Sequence, residues 1–237
     1  MFSVLNMRSV DDRDDRTALA RIRDAAIEQY GQHGFSVGLR TIAEAAGVSA
    51  ALVIHHFGSK EGLRKACDAY VAEVVREAKT ESIQNSDPAS WIAQMSEIES
   101  YAPLMAYLVR SMQSGSDLAK TFWRTMVDNA EQYLEEGVRN GVLKPSRDPK
   151  ARARFMAICS GGGFLLYLQM HDDPTDLRRV LRDYGEDMML PALELYTDGL
   201  MTDSTMYDAF LHQREQGIPF SSSSETDNQS SDTKEPA

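Results

Sequence analysis

Cysteine is scarce in this sequence: Cys67 and Cys159 are the only two among 237 residues. They stand far apart in apolar surroundings, without a CxxC pair or a histidine at ligand spacing, so two reduced core thiols are expected rather than a disulfide or a metal site. Long apolar runs are missing too. A membrane-spanning helix needs roughly 18 consecutive apolar residues, no segment approaches that, and residues 1–16 lack the apolar stretch of a secretion signal. The expectation is a cytoplasmic protein with no membrane partner. Sustained alternation of apolar and polar residues, the mark of half-buried strands, is absent as well, which points to an all-α chain. Nor is there a glycine-rich phosphate loop, a GxSxG elbow or a zinc-binding HExxH, and the scattered acids show no pairing suited to acid–base chemistry. The sequence therefore predicts no catalytic residue, no cofactor and no metal, and a protein that is not an enzyme. Two acidic stretches do not alter this. Asp11-Asp12-Arg13-Asp14-Asp15 lacks the glycine and the later glutamate of a calcium loop, and His171-Asp172-Asp173 reads as a solvated turn before Pro174.

Positive charge is also short, with a formal net charge of −11, but the deficit is unevenly spread. Residues 1–66 carry nine Lys and Arg against eight Asp and Glu, whereas 67–237 carry 16 against 28. The N-terminal part is thus free to approach phosphate, and the acidic excess belongs to the rest.

What the chain does have is apolar residues, 42% of the total, recurring at intervals of three and four. They predict helices over 17–33, 39–46, 50–56, 60–84, 88–99, 102–113, 118–140, 149–171 and 175–199, with a weaker one near 203–214. The cuts fall at Asp87-Pro88, Gly115, Gly141, Asp148-Pro149 and Asp173-Pro174, where helix stop and start signals gather. The expected organisation is a flexible arm over 1–15, a first domain over 16–66 and a second helical domain over 67–215. A polar, serine-rich tail over 216–237 has too little apolar surface to fold.

The segment 39–57, LRTIAEAAGVSAALVIHHF, places small residues where two helices crossing at a steep angle need them. Ala43 lies one turn before the end of the first helix, where a larger side chain would push the second away. Gly47 can take the left-handed conformation that ends a helix, and Ser49 can cap the next by accepting from the amide of Ala51 or Leu52. Ile42, Ala46, Val48 and Val53 supply the apolar contact between the two. A plain three-helix core, with Ser49 as a cap and His56 as a satisfied polar residue, would share these features. It leaves unexplained why Ala50, Leu52 and His55 would face outward without the long charged side chains of a solvated surface. A major groove explains them, since Ala and Leu can meet thymine methyl groups and His55 can bond to a base edge or a phosphate. Arg40 and Thr41 at the start of one helix, Ser59 and Lys60 at the start of another, and Thr17 and Arg21 early in the first are placed for phosphate contacts. Ser49, Ala51, Ile54 and His56 complete the candidate surface for double-stranded DNA.

The helix over 22–32, then Gly34-Phe35, then IAEAAGVS and HHFGSKEGL resemble the N-terminal DNA-binding domain of TetR repressors over about residues 17–66. The resemblance implies a homodimer on a pseudo-palindromic operator, released by a small molecule held in a divergent helical domain, and Lys60 stands where the family's lysine contacts phosphate. Two positions depart from the family: Ala51 replaces a usual Gly, and Ile54 replaces a Tyr that commonly touches phosphate. Ile54 cannot donate that bond. The alternative kept open is a ligand-independent DNA-binding protein regulated by a protein partner.

Over 67–215 composition carries the reading. Trp91, Met95, Met105, Met112, Phe122, Trp123, Met126, Phe155, Met156, Cys159 and Tyr167 are candidate linings of a cavity for an apolar or amphipathic effector, because methionine-rich bundles repack easily. Ser160-Gly161-Gly162-Gly163 interrupts a helical pattern at a cost of about 1 kcal/mol per glycine, which implies close backbone approach inside the bundle or across a subunit interface, or a helix broken for a ligand. Pro191 should kink the last long helix or shift its start. The ending DMMLPALELYTDGL and the earlier LMAYLVRSM resemble actinobacterial TetR regulators of transporter operons.

Overall fold

The structure, a computed structural model, describes residues 18–84 and 87–217, so the expectations for the arm at 1–15, for Thr17 and for nearly all of the tail lie outside it. Among the described residues every regular element is helical: α1 (Ala18–His33), α2 (Leu39–Ala45), α3 (Ala50–Phe57), α4 (Lys60–Gln84), α5 (Pro88–Ser96), a 3-10 turn (Ile98–Tyr101), α6 (Ala102–Ser114), α7 (Asp117–Arg139), α8 (Pro149–Met170), α9 (Leu177–Asp198) and α10 (Thr205–Glu215). Starts follow the capping residues. The side chains of Asp87, Ser116 and Asp148 each accept an amide hydrogen bond at the N-terminus of α5, α7 and α8, a contact that contributes about 1 kcal/mol.

The chain divides into two compact units, one ending at Met189 and one beginning at Leu190. In the first, a continuous apolar core joins Ile22, Ile27 and Tyr30 of α1, Ile42 of α2, Val53 of α3, Leu63 and Val71 of α4, Tyr107 of α6 and Phe122 of α7. Fully burying each of the larger side chains contributes about 1.5–3 kcal/mol. The core does not stop at residue 66, because α4 runs unbroken through that point and α6 packs on α1. Phe164 and Leu168 of α8 and Val180 and Leu181 of α9 form a second cluster with Ala102 and Val109. In the second unit, Leu190, Leu193, Tyr196, Leu200, Met206 and Phe210 are all exposed.

Three expectations need correction. The helix over 88–99 stops at Ser96 and passes through the 3-10 turn, because Pro103 in the first turn of α6 favours a fresh helix start there. Cys159 is not in the core: Cys67 is buried but Cys159 is exposed, and α8 is apolar on so many sides that periodicity could not say which side faces inward. The glycine run does not break α8. Nor does it bring two backbones together inside the unit: a Cβ on Gly161 would make ordinary contacts with Met112 and Trp123 at 3.4–3.5 Å, and on Gly162 or Gly163 it would meet nothing within 4 Å. Pro191 lies inside α9, which leaves the kink and rules out a shifted helix start.

Candidate nucleic-acid interface

The turn between α2 and α3 is built by four residues. Gly47 has φ +66°, which lets its amide bond to the Glu44 carbonyl at 3.1 Å and the Val48 amide to that of Ala43 at 2.9 Å, closing α2. Ser49 Oγ then accepts from the Leu52 amide at 3.2 Å and opens α3. Ile42 and Val53 are fully buried between the two helices, with Ala43 and Ala46 beside them.

On α3, Ala51, Ile54, His55 and His56 are exposed, whereas Leu52 is half-buried. Ala50 differs from expectation: it sits three residues before Val53 and is partly covered by the core. The outward ridge is therefore Ala51, Ile54 and His55, with the His55 and His56 rings edge to face at 5.4 Å. Ile54 is 51% exposed, an unusual setting for a β-branched apolar side chain that a groove floor would cover.

The start of α4 flanks this ridge. Ser59 Oγ accepts from the Gly62 amide at 3.0 Å, which leaves the other first-turn amides and the half-buried Lys60 available to an anion. Gly62 has a role that sequence reading passed over: a Cβ there would lie 2.0 Å from the Phe57 carbonyl oxygen. Only glycine lets α4 start so close to the end of α3, and nothing in its local pattern announces this. Arg40 and Thr41 are exposed at the start of α2, and Arg21 is half-buried on α1.

A buried polar network ties these helices to α6. Arg64 Nε donates to Asp68 Oδ1 at 3.3 Å and its Nη2 to Ser111 Oγ at 3.2 Å, while the Tyr107 hydroxyl donates to Asp68 Oδ1 at 2.6 Å. The guanidinium lies 3.1 Å above the centroid of the Phe35 ring. Burial raises the Asp68 pKa, opposed by the Tyr107 hydrogen bond and the Arg64 charge. The Tyr107 pKa is raised chiefly by burial, so its hydroxyl stays a donor. Beside them burial pushes the Cys67 thiol up to about 12, which makes it inert. Arg110 of α6 also donates to the carbonyls of Gly31 and Gln32, each at 3.2 Å, at the C-terminus of α1. Gly31 permits the approach, since a Cβ there would be 2.9 Å from that of Ala106. An i, i+4 Arg–Asp pair hinted at this network, but its partners come from a distant helix.

The candidate effector residues are scattered. Phe122 is buried in the main core, where Met105 and Met126 also pack. Met112 and Tyr167 belong to the second cluster and Met156 to a third. Trp123 is half-buried beside Phe122, its indole N–H buried without an acceptor among the described residues. Trp91 donates to the Ser82 carbonyl at 3.0 Å, and Met95 lies against Gly185. Phe155 and Cys159 are exposed on α8. Among the described residues His171 bonds to Asp183 at 3.1 Å, no three metal-ligating side chains come together, and no helix is long and apolar enough to cross a membrane.

Known proteins resemble this chain. Residues 22–67 match the model for bacterial regulatory proteins of the tetR family, and residues 99–202 that for a tetracyclin repressor-like C-terminal domain. The HTH-type transcriptional regulatory protein RaaS of Mycobacterium tuberculosis (strain ATCC 25618 / H37Rv) is 71% identical over 203 residues, 86% of this chain and 96% of that protein. Among solved structures, a TetR-family transcriptional regulator from Rhodococcus sp. superposes with a TM-score of 0.54 at 20% identity, covering 76% of this chain and 97% of the other. FadR from Bacillus subtilis, in complex with stearoyl-CoA, does so with 0.52 at 21%, covering 77% and 99%. At these identities the solved structures speak for the fold alone.

Proposed function

Because the chain belongs to the TetR family of DNA-binding transcriptional regulators, and is not an enzyme, we propose that it is a repressor that grips a pseudo-palindromic operator as a homodimer and lets go when a small apolar or amphipathic molecule binds outside the helix-turn-helix. A transporter operon is the proposed target. Base reading falls to Ala51, Ile54 and His55, with Ser49, Ala50, Leu52 and His56 supporting α3. Phosphate contacts fall to Arg40, Thr41 and Lys60, and to Thr17 ahead of α1. The observation that carries the reading is the capped helix α3 with an apolar and histidine-bearing ridge turned to solvent, set beside the open amides of α4.

Support for the dimer comes from α8. Phe155 is 69% exposed, Met170 76% and Leu166 58%, on one side of a helix whose Gly162 and Gly163 have open space above them. Glycines cost helix stability, and nothing within the unit offsets that cost, whereas close approach of a second copy's backbone would. Monomeric proteins seldom leave such surfaces bare. The exposed apolar faces of α8 and α9 are proposed to form the two-fold contact.

Footprinting on the DNA beside the protein's own gene tests the reading. Two protected half-sites, with centres about 34–36 Å apart, are expected, together with a light-scattering mass of two chains. A single protected site bound by one chain would overturn the dimer. Operator affinity indifferent to every small molecule, yet altered by a second protein, would overturn the release mechanism.

A further inference from the structure

The first unit holds an open groove of about 360 Å³ between the α5 to 3-10 segment and the first half of α9. Its apolar walls are Met95, Ile98 and Met189, and its charge comes from Glu99, Arg182 and Glu186. Only Met95 among these carries an expectation from sequence. We propose that this groove binds an amphipathic organic cation, an amine or onium centre carried on an apolar body.

Size and wall chemistry fit a small molecule, since such sites run from about 300 to 1,000 Å³ with mostly apolar linings and a few polar groups. Two methionine thioethers can conform to an irregular or aromatic body. Gly185 makes the floor: a Cβ there would lie 2.5 Å from the Met95 methyl and 3.4 Å from Ile98 Cδ1, so glycine lets Met95 lie against the α9 backbone.

The charge selects the sign of the ligand. Arg182 is the groove's one cation, and it is spent twice: Nη1 bonds to Glu99 Oε1 at 3.0 Å and Nε approaches Asp183 Oδ1 at 3.4 Å. An anionic ligand would meet a guanidinium whose charge two carboxylates already offset, with the carboxylate of Glu186 close by. Glu186, one turn further along α9, has no salt bridge among the described residues and is exposed at the groove edge. An incoming cation meets a carboxylate that needs no rearrangement.

The groove also has a route to the DNA-binding helices. Ile98 and Glu99 lie in the 3-10 turn that leads directly into α6, and α6 carries the Tyr107 and Ser111 bonded to Asp68 and Arg64 of α4. A ligand that shifts the turn would move α6 against α4. This consequence for the operator rests on the release reading above, whereas binding in the groove does not.

Tetraphenylphosphonium and tetraphenylborate, which share shape and oppose in charge, separate the possibilities when titrated calorimetrically into the full chain at low salt. The expected result is that the phosphonium binds at least about tenfold more tightly than the borate, a difference near 1.4 kcal/mol, and that its affinity falls as salt rises. Glu186→Gln, a near-isosteric change at an exposed position, should weaken the phosphonium by about three- to tenfold and leave the borate and the melting temperature alone. Gly185→Leu should fill the groove and remove binding of both. Equal affinities for the two ions, or phosphonium binding untouched by Glu186→Gln, would overturn the proposal. Operator affinity is measured in parallel: phosphonium binding that responds to both variants but leaves operator affinity unchanged upholds the groove and counts against the release reading alone.

Discussion

The Tyr107 hydroxyl, on α6, donates a 2.6 Å hydrogen bond to the Asp68 carboxylate on α4. That carboxylate also holds Arg64, so one acidic side chain fixes both the guanidinium on α4 and the later helix α6. Tyr107→Phe keeps the ring in place and deletes the donor. It should cost about 1–3 kcal/mol in urea denaturation, the penalty of a buried acceptor left short. Asp68→Ala should cost more, about 3–5 kcal/mol, because it leaves Arg64 buried without its counter-charge. If both variants unfold at the wild-type midpoint, the network contributes nothing to stability.

Gly62 and Gly47 separate two reasons for glycine. Gly47→Ala places a side chain at φ +66° with open space around it, so the cost is conformational, about 1–2 kcal/mol. Gly62→Ala drives a methyl group into the Phe57 carbonyl, with no flexible atom to yield, and must shift α4 away from α3. Operator binding in a mobility-shift assay should fall far more for Gly62→Ala than for Gly47→Ala at equal folded concentration. Similar losses would mean that α4 can slide without cost.

These two glycines also show what could be read ahead of the structure. The helix-turn-helix is local: Gly47, Ser49 and Val53 sit at spacings that dictate turn, cap and core, and each does as its position demands. Gly62 is equally local but was opaque, since its role depends on where the Phe57 carbonyl points. Arg64 and Asp68 look like an ordinary surface pair until Tyr107 and Ser111, supplied by a helix much later in the chain, cover them. The second half was harder for a different reason. Apolar residues occur on so many sides of α8 that Phe155 and Cys159 read as interior, although they face out. The groove under Glu99 and Gly185 joins segments whose pairing no periodicity encodes.

Acid should loosen the protein through Asp183. Its pKa is held below the ordinary carboxylate value, first by the hydrogen bond from His171 and then by Arg182 and Arg179. A carboxylate with a depressed folded-state pKa is protonated first in the unfolded chain, so its stabilising contribution is present above about pH 4 and is lost as pH falls toward the folded value. Asp183→Asn removes that term. The melting temperature of the variant should start below wild type at neutral pH and fall less steeply between about pH 5 and pH 3. Parallel curves would show that the His171–Asp183 contact is not linked to folding.

The division of labour on the DNA surface yields the last prediction. Lys60 sits at the start of α4 beside free amides, a geometry that recognises phosphate and no particular base. Lys60→Ala should weaken binding to operator and random DNA alike and reduce the slope of log affinity against log salt by about 0.9, one phosphate contact. His55 stands on the exposed ridge of α3. His55→Ala should cost about 1–3 kcal/mol on the operator, with the loss confined to one base pair in each half-site, and leave random DNA nearly untouched. Ile54 gives the opposite test. The ridge position is exposed and apolar, whereas a tyrosine commonly reaches the backbone from there in relatives. Ile54→Tyr should therefore tighten binding to all DNA and steepen the salt slope, while relaxing any preference that the isoleucine imposes through a thymine methyl group. Should His55→Ala lose affinity in the same proportion on operator and random DNA, as Lys60→Ala is expected to, and Ile54→Tyr weaken both, α3 does not lie in the groove with Ala51, Ile54 and His55 facing the bases.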